Sequence, residues 1–336
     1  MRRIVPNLVS TIIPVHNRPK MVRSAVASVL AQDYRPIEIV IVDDGSTDST
    51  LEVCNRLPTR YSESILVLSQ GNLGPGPARE LGRQDANGEF IQYLDSDDRL
   101  LPGKFTAQVN ALRKNPDCGI AYGITRLVDY EGNVLTEPFK WTGDDRQYLF
   151  PGLLVDRWWC THTPLYRRTV CDEIGPWSEL RYSQDWEYDA RAGALGIKLV
   201  NTNVLVSEHH THGEKRQTGH GGWLTPTDQV RFFSTLYDCA ARAGVIESVP
   251  EMRHFSRWVF SQARHCGSTG DVAPARELFR LALRAADSPD LKMRVTGALA
   301  SVFGWKVVGR LGQLRDSLFR SPGPGTLKQS WMQEDR

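Results

Sequence analysis

Three carboxylates, Asp95, Asp97 and Asp98, stand within four positions in the stretch QYLDSDDRL, residues 92–100. Like charges this close repel unless a cation or a helix N-terminus neutralises them. Capping the helix expected from Pro102 through Phe105, Val109 and Leu112 accounts for one aspartate, at most two. A calcium loop opens with the same D-x-D spacing, but Arg99 occupies its next ligand position and the required glycine is missing. A D-x-D placed directly after a buried strand and facing a nucleotide crevice suits Mg²⁺ or Mn²⁺ shared between carboxylate and diphosphate.

Three further stretches carry chemistry. VDDGSTD (42–48) reads as a turn with helix caps at Asp44 or Ser46, or as a carboxylate that accepts a hydrogen bond from a base N–H. SQDWEYD (183–189) reads as a helix start with Ser183 as cap, or as the source of a general base, Asp185, with Glu187 as the second choice. EHHTHGEKRQTGHGG (208–222) holds His209, His210, His212 and His220, with no cysteine or acidic partner at zinc spacing. Its glycines suggest a mobile loop, from which Lys215 and Arg216 could close over a diphosphate. In DRWWCTHTPLYRR (156–168), Trp158 and Trp159 read equally as core anchors or as a sugar-stacking surface.

These residues need a frame. LVSTIIPV (8–15), IEIVIV (37–42), SILVLS (64–69) and FIQYL (90–94) are apolar, β-rich runs. Between them lie helical stripes, Val22, Ala25, Val26, Val29 and Leu30 being the clearest. A β-α-β-α-β-α-β order predicts an α/β fold with an open, mostly parallel, Rossmann-like sheet flanked by helices. Ligands bind beyond the carboxyl ends of such strands. His16 and Asn17 follow the first strand, Asp43 and Asp44 the second, and Asp95 to Asp98 the fourth. Further along, Glu131-Gly132-Asn133 reads as a hairpin turn, and the chain beyond about 225 reads as a helical appendage. The expected organisation is a catalytic domain over 1–224, a helical region over 225–320 and a Pro/Gly-rich disordered tail over 321–336.

Composition sets bounds. The 336 residues are 40% hydrophobic and 24% charged with net charge +2, as in an ordinary globular protein, a charge that says nothing about nucleic acid; no nucleic-acid partner is expected. Residues 251–320 hold twelve Lys/Arg against six Asp/Glu, a basic region that could dock on anionic lipid or a partner, or simply be a solvated face. Six dispersed cysteines without a C-x-x-C pair suit reduced thiols. The run MRRIVPNLVSTIIPVHNR is broken by Pro6 and Asn7 and reads as a leader into the first strand, and no window spans a membrane. The expected location is cytoplasmic, with peripheral attachment at the inner face of the plasma membrane as the lipid-docking alternative.

The stretches VSTIIPVHNRPKMVRSAVASVLAQDYRPIEIVIVDDGSTDST, GNLGPGPARELGRQDANGEFIQYLDSDDRLLPGKF and PLYRRTVCDEIGPWSELRYSQDWEYDARAGALG together resemble family-2 glycosyltransferases of the GT-A fold, over residues 7 to 215. The resemblance implies inverting transfer of a sugar from a nucleotide-diphosphate donor, with one divalent cation. It implies that Pro14 and His16 flank the base, that Asp44 hydrogen-bonds it, and that Asp95 contacts the ribose or the metal shell. It places Asp97 on the metal, completed by a histidine after the last sheet element that the register puts at His212, and it puts the base catalyst at Asp185. His16 stands where many members have Tyr, Glu80 where Asn is usual, and Gln184 where Glu is frequent. The expected donor is a UDP-sugar and the acceptor a saccharide or lipid-linked saccharide, in cell-surface polysaccharide or glycoconjugate synthesis. No transmembrane helices and no Q-x-x-R-W motif are found, which favours single-sugar addition. A nucleotidyltransferase, which would need a richer phosphate loop than PVHNRPK, and a non-catalytic sugar-nucleotide binder are the alternatives.

Overall fold

A computed structural model of the chain describes residues 4–60, 64–129, 131–140, 145–211 and 224–318. The first half alternates strand and helix as the apolar periodicity predicts: β1 (Val5–Val15), α1 (Pro19–Leu30), β2 (Ile37–Asp44), α2 (Thr50–Arg56), β3 (Ser64–Gln70), α3 (Pro75–Asp85) and β4 (Gly88–Tyr93). There follow β5 (Arg99–Leu100), α4 (Lys104–Lys114), β6 (Cys118–Val128), β7 (Val134–Phe139) and β8 (Leu165–Arg167). The elements α5 (Arg168–Ile174), α6 (Gln184–Ala194) and β9 (Lys198–His210) complete the α/β region. The remaining helices are α7 (Pro226–Arg242), α8 (Pro250–Thr269), α9 (Val272–Arg284), α10 (Leu291–Phe303) and α11 (Trp305–Leu318). The chain divides into two compact units. One takes in the described residues up to Leu224 with Thr235–Val245, and the other takes in Thr225–Ser234 with those from Ile246 onward.

All nine strands join one sheet in the order β3-β2-β1-β4-β8-β6-β9-β5, with β7 paired to β6. The β3-β2-β1-β4 half is parallel. The other half is mixed, because β8 runs antiparallel to both β4 and β6 while β6 and β9 run parallel. The expected hairpin at 131–133 joins β6 to β7. The chain goes outward from β1 to β2 and β3, then returns to add β4 on the far side of β1. That reversal opens a crevice at the carboxyl ends of β1 and β4, where an open α/β sheet binds ligands.

Both faces of the parallel half are covered, which explains why β2 is buried along its whole length. On one face Val9, Ile13, Ile39, Ile41 and Phe90 pack with Val22, Val26 and Val29 of α1 and with Phe105, Val109 and Leu112 of α4. Each such aliphatic side chain contributes roughly 1.5–3 kcal/mol on burial. On the other face α3 lies so close that a Cβ on Gly82 would meet Ile12 Cγ2 at 2.5 Å and Val42 Cγ2 at 3.2 Å. No helix among the described residues is long and apolar enough to cross a membrane.

Gly82→Ala overpacks the α3–sheet contact and should cost about 1–3 kcal/mol. A urea midpoint lowered at unchanged slope is the expected result; an unchanged midpoint would contradict the close approach.

Candidate active site

The loops at the carboxyl ends of the strands fasten one another. Asn17, in a left-handed conformation, donates its backbone N–H to Ser46 Oγ at 2.9 Å and accepts from Thr47 N at 2.8 Å. This ties the β1–α1 loop to the β2–α2 loop. His16 Nδ1 lies 2.9 Å from the Asp44 carbonyl, which fixes the proton on Nδ1. The Asp44 carboxylate accepts from Gln70 Nε2 (2.8 Å), Leu73 N (2.9 Å) and Gly74 N (2.9 Å). It therefore organises the β3–α3 loop and keeps about one of its four acceptor positions. Gly45 has a φ of 69°, and a Cβ there would sit 2.7 Å from Asn72 N, so only glycine fits between these two loops.

Asp95, Asp97 and Asp98 leave β4 into the same crevice, and each meets a different partner. Asp95 Oδ1 is 2.5 Å from Arg79 Nη2 of α3. Asp97 Oδ2 is 2.8 Å from Arg18 Nη1, at the entrance to α1. Asp98 is buried and is not the helix cap that the sequence allowed; Gly103 occupies the N-cap of α4. Its Oδ1 accepts from His210 N at 2.9 Å, and its Oδ2 bonds His209 Nδ1 at 3.2 Å. His162 Nδ1 lies 2.9 Å from Oδ2 without hydrogen-bond alignment. Pairing of β5 with β9 brings Asp98 to His209 and His210, and His162 reaches it from the loop before β8. Burial opposes ionisation of Asp98, but His162 and His209 outweigh it and hold the carboxyl well below the usual range.

Asp185 opens α6 and faces the crevice from the opposite side. Its Oδ2 is 2.8 Å from Arg157 Nη1 and accepts from Thr161 Oγ1 at 3.1 Å; its Oδ1 accepts from Trp186 N at 2.9 Å. Burial alone would raise its pKa, yet the charges of Arg157, Arg79 and Lys140 bring it down to about 2. Arg157 also bonds Asp189 at 2.6 Å, and Asp189 accepts from Trp159 Nε1 and Tyr166 OH. A buried arginine is thus shared between two carboxylates, and it fixes the side chain of Asp185.

Pro14, His16, Asn17, Asp44, Asp95, Asp97 and Asp185 line one cavity of about 560 Å³ within the first unit. Arg18, Arg79, Arg181, Thr161, Gln184 and His209 complete much of its wall. Other expectations fall elsewhere. Glu187 pairs with Arg191 at 2.8 Å and does not line the cavity. Trp158 and Trp159 are buried and serve as core anchors, not as a sugar-stacking surface. His212, Lys215 and Arg216 lie outside the described residues, as does the tail from 319 onward.

Two groups among the described residues bring metal-donor atoms within 4.8 Å of one another: Asp95, Asp98 and His162; and Cys160, His162 and His209. Asp97 belongs to neither and is occupied by Arg18. Asp95 and Asp97 both line the cavity, and carboxylates are the class of hard oxygen donor that Mg²⁺ or Mn²⁺ takes. Sequence reasoning missed the arginines. Arg79 lies in the quoted GPARE segment, and Arg157 and Thr161 flank the tryptophans that drew attention in DRWWCTHT.

The family model described as Glycosyl transferase family 2 matches residues 10–175. An uncharacterized glycosyltransferase of Rickettsia typhi is 32% identical over 239 residues, which cover 68% of this chain and 70% of that protein. One from Haemophilus influenzae is 35% identical over 126 residues, 38% of this chain but only 50% of the relative's length. The chondroitin synthase of Escherichia coli is 32% identical over 62% of this chain and 29% of that protein. Among solved structures, S. aureus TarS 1–349 in complex with UDP superimposes with a TM-score of 0.66 at 16% identity, covering 93% of this chain and 92% of that one. The same protein in complex with UDP-GlcNAc gives 0.63, with 93% and 91% covered. The mixed sheet flanked by helices is therefore that of the GT-A glycosyltransferases, and the chain belongs to glycosyl transferase family 2.

Proposed function

We propose that the protein transfers a single sugar from a nucleotide diphosphate, most simply UDP, to an acceptor hydroxyl with inversion at C1. One observation carries the reading: the carboxylates after β4 and the ionised Asp185 line the same cavity, together with three arginines. The nucleotide lies at the ends of β1 and β2. His16 presents a ring beside Pro14, and Asp44 offers its remaining acceptor position to a base N–H. UDP suits that acceptor, and TarS has been solved with UDP and UDP-GlcNAc.

The diphosphate gains negative charge as it leaves. Arg79 is buried, and its Nε and Nη1 have no hydrogen-bond partner among the described residues, so the side chain has donors in reserve. Arg18 and Arg181 add positive charge along the same wall. A divalent cation bound by Asp95 and Asp97 would supply further charge neutralisation to the leaving diphosphate. Asp185 accepts the acceptor hydroxyl proton from the face of the sugar opposite the leaving group. Arg157, Thr161 and the Trp186 N–H occupy part of its oxygens and hold its orientation. With a pKa of about 2, it is a weak base that is always ionised near neutrality. Proton transfer must then accompany C–O bond formation through an oxocarbenium-like transition state. The acceptor class that fits the family is a saccharide or lipid-linked saccharide, in cell-surface polysaccharide or glycoconjugate synthesis.

Asp185→Asn should lower transfer by about 10²–10⁴-fold with nucleotide affinity retained, as read by UDP release and by titration with UDP. Asp97→Ala should abolish transfer, and chelation of the wild type should do the same until Mg²⁺ or Mn²⁺ is restored. Robust transfer by either variant would refute these roles.

The lowered Asp185 pKa implies a stabilising contribution that is complete above the ordinary carboxylate range and lost as pH falls toward about 2. Arg157→Gln removes the main opposing charge and should move the acid limb of the pH–rate profile upward. Because Asp189 loses its buried partner as well, the variant should also lose about 3–5 kcal/mol of stability. An unmoved acid limb would show that Arg157 does not set the ionisation of Asp185.

A further inference from the structure

Within the second unit, α10 carries its larger apolar side chains on the wrong side for a globular domain. Its packed face consists of Met293, Thr296 and Ala300, with Gly297 close enough to α9 that a Cβ would meet Phe279 at 2.9 Å. The opposite face presents Leu291, Val295, Leu299, Val302 and Phe303. At 100° per residue these five fall on one arc, with Leu291 76% exposed, Val302 74% and Phe303 60%. Val307 and Leu311 extend the exposed apolar surface onto α11. Seven of the seventeen large apolar side chains exposed among the described residues therefore fall within 291–311. A concentration of exposed apolar side chains of this kind marks an interaction surface.

Charge selects the partner. The sequence between Asp290 and Asp316 holds Lys292, Arg294, Lys306, Arg310 and Arg315, and no acid. Asp290 itself is committed to the helix, accepting from Met293 N at 2.8 Å. On the helical wheel Arg294 borders the apolar arc and Lys292 falls within it, next to Phe303, and Lys306 and Arg310 are exposed beside Val307 and Leu311. A two-fold contact with a second copy would set these cations against themselves. Residues 319–336 hold three basic and two acidic side chains, and so offer no complementary charge. An exposed apolar arc bordered by cations matches a surface that is apolar within and anionic at its rim.

We propose that the exposed face of α10 and the start of α11 docks in the plane of an anionic lipid bilayer, with Val302 and Phe303 entering the interface and Lys292, Lys306 and Arg310 meeting the headgroups. The attachment is peripheral, since a helix of 13 residues is too short to span the hydrocarbon core. It does not depend on the transferase reading.

Co-sedimentation of the full chain with vesicles tests the docking. Binding to phosphatidylcholine vesicles containing phosphatidylglycerol, and little binding to phosphatidylcholine alone, is the expected result. Val302→Asp/Phe303→Asp should abolish binding. Lys292→Gln/Lys306→Gln/Arg310→Gln should weaken it by about 100-fold, about fivefold per charge. Hydrogen exchange on the unaltered chain provides a reading independent of the variants' folding: amides in 291–311 should slow on anionic vesicles. A chain that stays in the supernatant, equal binding to both vesicle types, or exchange unchanged across 291–311 would overturn the proposal. So would light scattering that shows a dimer split by the Val302→Asp/Phe303→Asp change.

Discussion

Electrostatic crowding at the end of β4 is the constraint on which the site depends. Two like charges about 4 Å apart in a partly buried setting repel by roughly 4 kcal/mol, and here three aspartates share four positions. Each is met from a different part of the chain: Asp95 by Arg79 on α3, Asp97 by Arg18 before α1, and Asp98 by His162 and the end of β9. Neutralisation therefore also serves as assembly. One turn gathers the β1–α1 loop, α3 and the end of β9 around a single cavity. The same logic recurs across the crevice, where Arg157 joins Asp185 to Asp189.

The division of labour among the carboxylates follows from their surroundings. Asp98 and Asp189 are buried and spend their oxygens on neighbouring side chains and backbone, which makes them supports, although Asp98 also borders the cavity. Asp95, Asp97 and Asp185 line open space and can act on a ligand. Asp44 does both, since three of its hydrogen bonds shape the β3–α3 loop while the residue still faces the cavity.

Much of this was legible in the sequence because parallel strands buried on both faces are continuous apolar runs, as in IEIVIV, and the polar residues that end them must collect at one edge of the sheet. Pro14, His16, Asp44, Asp97 and Asp185 were found that way or through family resemblance, and the structure brings them into one cavity. The mixed half of the sheet was less legible. The strands β5 and β8 are two and three residues long, too short for a periodicity to show. The arginines were missed because no local spacing announces a long side chain that reaches another element: Arg79 and Asp95 are 16 positions apart, and Arg157 and Asp185 are 28 apart. Asp98 looked like a cap for the same reason, since its histidine partners come from far along the chain.

The proposed nucleotide-sugar site is the cavity beyond β1 and β4, where arginines and carboxylates together face a diphosphate. Calorimetric titration of the full chain with UDP, in the presence and absence of Mn²⁺, addresses it most directly, with Arg79→Gln as the comparison. The expected result is saturable one-to-one binding that is strengthened by Mn²⁺ and weakened at least tenfold by the substitution, about 1.4 kcal/mol. Absence of binding to UDP and to other nucleoside diphosphates, or binding indifferent to Arg79→Gln and to Mn²⁺, would contradict it.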